Sequence, residues 1–367
     1  MKYKEKNDDD AIFAWKRLKR DFSNEYNLTV SNLDYLLSLS KEIDSPLLKE
    51  IKPDIALLIK WKFDLLAKTG ESPFAINHDI KYWISTLEML KSLASHQWFD
   101  MGEQNVSEHP FVRTENAFNY MWPKTTQDEK FNMSAKMAKA RLEQVYGFME
   151  DKNYLKDSII LDSGCGPGRY IDALIKLNIK CKNIIGIDQG NDIIEANKER
   201  FGNYTNVKFY QGFCDSLPID NSSIDFVISA GVLHHLKNSM RDLIKEHARV
   251  LKNGGYFFVF IVGRGGLFEK ICEFLTHFLE GIPVEFMYQK FSNKISPLRL
   301  QGLLDRGFAK YQLIDRDEFE KILSGNFNDI VRIPGIRGLD ITKEIYSDNM
   351  YFDYRFGTGN LRYLCRK

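Results

Sequence analysis

Three glycines on alternate positions, Gly164, Gly166 and Gly168, follow an acid, Asp162, at the end of a short apolar run, Ile159-Ile160-Leu161. Glycine lets a backbone turn sharply off a strand and lie against a ligand with no Cβ in between. A helical pattern through Tyr170, Ile171, Leu174 and Ile175 starts directly afterwards. The free N–H groups of a helix start point to the same place. The loop is not a phosphate-cradling GxxxxGK[ST] loop, because no Lys-Ser or Lys-Thr follows Gly168. It is not the dinucleotide pattern GxGxxG either: counted from Gly164 and Gly166, the third position is Arg169. Asp162 would repel a pyrophosphate and suits a ligand carrying a positive charge, such as an ammonium group. A second acid, Asp188, ends the next apolar run, 20 residues after Gly168. An acid at this place in a βαβ unit accepts hydrogen bonds from two ribose hydroxyls.

Two further residues could move protons. His234 and His235 follow a fourth apolar run, Ile224–Ser229. A neutral imidazole, with a reference pKa near ~6.5, can take a proton from an attacking O–H, N–H or C–H. The alternative is that the rings only pack the start of a helix, and the sequence leaves both readings open. The five cysteines, Cys165, Cys181, Cys214, Cys272 and Cys365, form no CxxC pair and are odd in number. That argues against a disulfide framework or a metal site and fits a reducing cytosol.

The elements that must position these residues alternate. Strands are expected at 159–161, 183–187, 207–210, 224–229 and 256–262, the last nearly all apolar and so buried on both faces. Helices are expected at 191–201 and 240–251, the second stopped by Lys252-Asn253-Gly254-Gly255. Five strands alternating with helices make a doubly wound α/β sheet whose ligand sits beyond the carboxyl ends of strands one, two and four.

The run LDSGCGPGRY, then IGIDQGNDIIEAN, QGFCDSLP, SIDFVISAGVLHHL and RVLKNGGYFFVFI resembles the class I S-adenosylmethionine-dependent methyltransferases, most closely the small-molecule type. The likeness covers about residues 135–265. It implies a seven-stranded, mostly parallel Rossmann-like sheet, with a sixth strand at Tyr311–Ile314 and an antiparallel last strand at Leu361–Leu364. It also implies S-adenosyl-L-methionine as cofactor. Asp162, Gly164, Cys165, Gly166 and Gly168 would hold its methionine end, and Asp188 its ribose. Gln189 would lie against the adenine, and Ser229 and Ala230 would line the methyl path. The family often has an acid after the glycine of the third-strand loop. Here Phe213 stands there, so adenine contact falls to Phe213, Cys214 or Asp215.

Outside that stretch, residues 10–97 read as helices, with apolar stripes at 12–22, 33–39 (capped by Ser31), 55–66 and 80–93. From Phe99 to Ser134 the pattern breaks into a long ordered loop or short helices joining two units. All five tryptophans, Trp15, Trp61, Trp83, Trp98 and Trp122, lie in this first third. The expected domains are a helical region, 1–130, that helps to select substrate, and a methyltransferase domain, 131–367. The latter carries a lid-like segment at about 263–296 and an insertion at about 316–360, whose Arg332, Arg337, Arg355, Tyr346, Tyr351 and Tyr354 suit an anionic or sugar-like acceptor. An apolar helix from Leu267 to Leu279 is expected to pack on the sheet or on the N-terminal helices; the alternative is a lid over a lipophilic acceptor.

The charge is flat: 51 basic and 50 acidic residues, with nets of −3, +2 and +2 over 1–130, 131–260 and 261–367. That disfavours long nucleic acid as partner. No apolar run approaches the ~18 residues needed to cross a bilayer, and the start lacks a secretory pattern, so a cytoplasmic location is expected. The expected partner is a small-molecule methyl acceptor, and a homodimer is compatible with the sequence. The other readings are a non-catalytic binding or scaffold protein on a degenerate methyltransferase fold, or an RNA or protein methyltransferase. No Asn-Pro-Pro-Tyr-type motif follows strand four; Ala230-Gly231-Val232-Leu233 stands there instead.

Overall fold

The apolar runs flanking the glycine loop become neighbouring strands. A computed structural model of the chain describes residues 8–43, 46–94, 110–125, 128–151, 153–337, 339–346 and 351–367. Its strands are β1 (Ile159–Ser163), β2 (Asn183–Asp188), β3 (Val207–Gln211), β4 (Ile224–Ala230), β5 (Leu251–Val262), β6 (Asp329–Arg332) and β7 (Asn360–Arg366). They form one sheet in the order β3-β2-β1-β4-β5-β7-β6. The first five run parallel, while β7 lies antiparallel between β5 and β6. The strand order reverses between β1 and β4. There the crossovers leave to opposite faces and open a crevice at the carboxyl ends of the strands.

Both faces are covered. One carries Ile160, Ile171, Leu174, Ile184, Ile194, Phe226 and Phe258, and the other Leu161, Ile187, Leu243, Ile244, Phe257 and Val259. This two-sided burial explains why the strands read as continuous apolar runs rather than alternating ones.

The described residues fall into two compact units. One draws on 1–105, 265–280 and 349–357, and the other, which holds the sheet, on 106–264, 281–348 and 358–367. The first is helical: Asp8–Glu42, Pro46–Thr69 and Ile76–Ala94 pack with the apolar helix Gly266–Phe278 and the short helix Phe352–Phe356.

Several expectations need correction. Ser31 caps nothing, because the helix runs unbroken from Asp8 to Glu42. Thr29, two residues earlier, bonds back to the Glu25 carbonyl (2.7 Å) and leaves the helix intact. The expected joining loop begins with 99–109, which lie outside the described residues; the rest is two helices, Pro110–Thr125 and Asp128–Gly147. Lys252–Gly255 do not end a helix before the fifth strand. They are part of β5, at a shift of register against β4 between Ile224 and Phe226.

The sixth strand is not Tyr311–Ile314. Ile314 makes only an isolated bridge to Gly263, and the helix Arg316–Ser324 intervenes before β6. The polar edge sequence Asp329-Ile330-Val331-Arg332 hides β6 from an apolar search. The expected last strand is present as β7.

One polar knot ties this unit together. Asp340, 1% exposed, accepts from Arg141 Nε (2.8 Å) and from Arg362 Nη1 (2.9 Å). It thereby links the helix Asp128–Gly147, the 333–346 loop and β7.

Candidate functional site

The crevice at the switch point is a cavity of about 230 Å³. Its floor is the glycine loop. Gly164 has φ +74°, and a Cβ there would lie 2.5 Å from Val232 Cγ1, so the turn off β1 admits only glycine. Over Gly166 the space is open; a Cβ would meet nothing nearer than Trp122, at 4.0 Å.

Asp188 fixes the loop's shape. Its Oδ2 accepts from Gly166 N–H (2.8 Å) and its Oδ1 from Gly190 N–H (3.1 Å). Burial raises its pKa, and these backbone donors oppose the rise. Gln189 N–H acts on the same carboxylate as a third backbone donor, and Asp188 lines the cavity. Asp162 is 2% exposed, and its Oδ2 has no partner. Burial pushes its pKa up to about 7, against the pull of nearby Arg169.

Of the residues expected at the site, Gly164, Gly166, Asp188, Gln189, Phe213, Cys214, Asp215, Ala230 and His235 line the cavity. Asp162, Cys165, Gly168, Ser229 and His234 lie behind that lining. Ser229 is fully buried with its hydroxyl unpartnered, and burial pushes the Cys214 thiol up to about 12.

The two histidines separate. His234 is buried, stacks on Tyr311 (5.4 Å between ring centres) and has its pKa driven well below the usual value by burial. His235 donates from Nδ1 to the Lys310 carbonyl (3.0 Å), because a carbonyl can only accept. That fixes the tautomer and leaves the Nε2 lone pair free to take a proton. Asp305 Oδ1 stands 3.7 Å from that Nε2, placed to steady the imidazolium that would form. Burial lowers the His235 pKa, so the ring is neutral at neutral pH; Asp305 and the Lys310 carbonyl act in the opposite direction.

The sequence did not reveal the cavity's other wall. The helix Pro110–Thr125 turns Thr114, Glu115, Phe118, Asn119 and Trp122 toward it. Phe118 and Trp122 stack (5.8 Å, 9°), and Phe118 meets the His235 ring edge-on (5.1 Å). Arg169, the residue that ruled out a dinucleotide loop, lies over Trp122 (5.1 Å) and also lines the cavity. The helix is held by Thr114 Oγ1, which accepts from Lys310 N–H (2.8 Å). It presses so closely on the turn after β2 that a Cβ at Gly190 would fall 2.6 Å from Asn119 Oδ1. The 114/118/122 spacing was the available signal: one helix face within a segment broken up by proline and asparagine.

Residues 161–259 match the family described as methyltransferase domain. This stretch is similar to methyltransferase domains. Three curated proteins are similar to parts of the chain. An uncharacterized 37.1 kDa protein in a Streptomyces fradiae transposon is 35% identical over 95 residues, 26% of this chain and 27% of that protein. A ubiquinone/menaquinone biosynthesis C-methyltransferase of Campylobacter jejuni is 29% identical over 160 residues, 41% of this chain and 66% of the relative. A demethylmenaquinone methyltransferase of Staphylococcus aureus is 34% identical over 107 residues, 29% and 44% of the two chains. The chain therefore spans less than two thirds of the length of each relative. Among the described residues, no helix is long and apolar enough to cross a membrane.

Proposed function

We propose that the chain transfers the methyl group of S-adenosylmethionine to a flat, aromatic small molecule in this cavity. The reading rests on one observation: Asp188 ties the glycine loop to the turn after β2 and itself lines the cavity. The residues fit the cofactor. Asp188 would take the ribose hydroxyls; Asp162, just behind the lining with its Oδ2 unpartnered, and Arg169 would take the amino and carboxylate ends of the methionine. Phe213, Cys214 and Asp215 would flank the adenine. Bound there, the cofactor supplies a methyl group on a sulfonium, already electrophilic. The Phe118–Trp122 wall would stack a planar acceptor, which agrees with quinone-precursor methylation in two of the named relatives.

Two measurements test the reading. Calorimetry with S-adenosylhomocysteine should show binding with a pH dependence set by Asp162. Its pKa near 7 means that below neutrality the site must release a proton to hold an ammonium. Affinity should then fall as pH drops, by on the order of tenfold per unit, and Asp162→Asn should flatten the profile. No binding at any pH would end the reading.

The second measurement is the turnover of His235→Gln. If the methylated atom carries a proton, kcat should drop by roughly 10²-fold or more with KM little changed. An unchanged kcat would leave His235 a packing ring.

A further inference from the structure

Arg355 lies outside the cavity, in the helical unit. It is fully buried, yet Nε, Nη1 and Nη2 all lack a hydrogen-bond partner. A guanidinium stays charged and carries five N–H donors in a rigid fork. Burying it with every donor unmet is among the costliest arrangements a fold can hold.

Its neighbours are aromatic. The guanidinium lies 5.5 Å from the Tyr351 ring centre. Phe22 stands 5.2 Å from Tyr351 and 5.7 Å from Tyr354, and Phe74 stands 6.3 Å and 5.7 Å from the same two rings. Ring faces soften the charge but offer no acceptor in the plane of the fork. Glu71 is the acid whose field reaches Arg355, and it is exposed to solvent without bonding to it.

The segment that carries Arg355 is closely packed. Gly266, at φ +72°, packs so tightly that a Cβ would fall 2.5 Å from Phe356 N and 2.6 Å from the Arg355 carbonyl carbon. The helix Gly266–Phe278 thus clamps the 352–356 segment.

We propose that Arg355 anchors an oxyanion site, taking the carboxylate or phosphate of a small aromatic molecule whose ring joins Phe22, Phe74, Tyr351 and Tyr354. A carboxylate or phosphate presents two acceptors that match the guanidinium fork. The assignment stands independently of methyl transfer, since every residue it uses belongs to the helical unit.

The test is calorimetry and thermal melting of the full chain with three probes: benzoate, phenyl phosphate and inorganic phosphate. Saturable binding of benzoate or phenyl phosphate is expected, with inorganic phosphate about tenfold weaker or more for want of the ring. The tighter of the two aromatic probes identifies the anion. Arg355→Met should lose about 100-fold in affinity while its ligand-free Tm equals or exceeds that of the wild type, because the unmet charge is gone. Should that variant fail to fold, Arg355→Lys keeps the charge without the fork and should bind about tenfold more weakly. Wild type that binds none of the probes, or binding unchanged by either substitution, would overturn the proposal. So would a ligand-free Tm lowered equally by Arg355→Met and Glu71→Gln, which would show that Glu71 is the partner.

Discussion

Asp188→Ala should weaken S-adenosylhomocysteine binding by about 10- to 100-fold, on the order of 1–3 kcal/mol of charge-assisted hydrogen bonding. Two losses combine. The ribose loses its acceptors, and the glycine loop loses the brace that joins Gly166 N–H to Gly190 N–H. The second loss sets this position apart from an ordinary contact residue: the two amides are left to find other acceptors, and the loop need no longer hold its shape. Asp188→Asn separates the contributions, since an amide has one acceptor oxygen where the carboxylate has two. It should retain part of the affinity. Titration calorimetry at neutral pH decides the matter, with Tm as a control for folding. Undiminished affinity in Asp188→Ala would remove Asp188 from the site.

Asp340→Ala should be the most damaging single change to stability, about 3–5 kcal/mol. The Asp340 side chain sits at 0% exposure between Arg141 and Arg362, and Arg362 is likewise at 0%. Removing the carboxylate strands a guanidinium in a site where Arg362 Nε and Nη2 already lack partners. Arg362 would keep its Nη1 bonds to Gln144 Oε1 and the Pro334 carbonyl, neither of which carries charge. The Ile336 N–H, which donates to Asp340 Oδ2 (2.9 Å), would also lose its acceptor. Urea denaturation should show the midpoint fall, and Tm should drop by on the order of 10 °C. Replacing the whole set with apolar residues of similar volume should cost far less, because no unmatched charge would remain. A loss under about 1 kcal/mol would mean that the knot contributes little.

The central βαβ rhythm was legible because each part is constrained twice. A strand buried on both faces must be continuously apolar, and a backbone that turns against a ligand must be glycine. Asp162, Gly164, Gly166 and Asp188 are therefore legible by number in the sequence.

What escaped the sequence came from elements that meet only in space. Asp305 and Lys310 lie 70 and 75 residues beyond His235 in the chain, and nothing local links them. The Phe118–Trp122 wall sits on a helix whose internal Pro123 and scattered asparagines disguise it. Ser31 looked like a cap because serine favours caps, yet an exposed serine costs a long helix little. β6 stayed hidden because edge strands carry polar residues, and Tyr311–Ile314 was more apolar. That segment packs its aromatic ring on the histidines instead.

The strand order also bears on how the sheet assembles. β6 is synthesised before β7, yet its only ladder among the described residues is with β7, which lies between it and β5. Until residues 360–366 arrive, 329–332 have no strand to dock against, and β5 presents an open edge of unpaired backbone groups. Closing that edge means inserting a strand that starts 98 residues beyond the end of β5, at Asn360 after Val262, and such long-range pairings are slow. During that interval the β5 edge, Tyr256 to Val262, is the stretch most exposed to pairing with another chain.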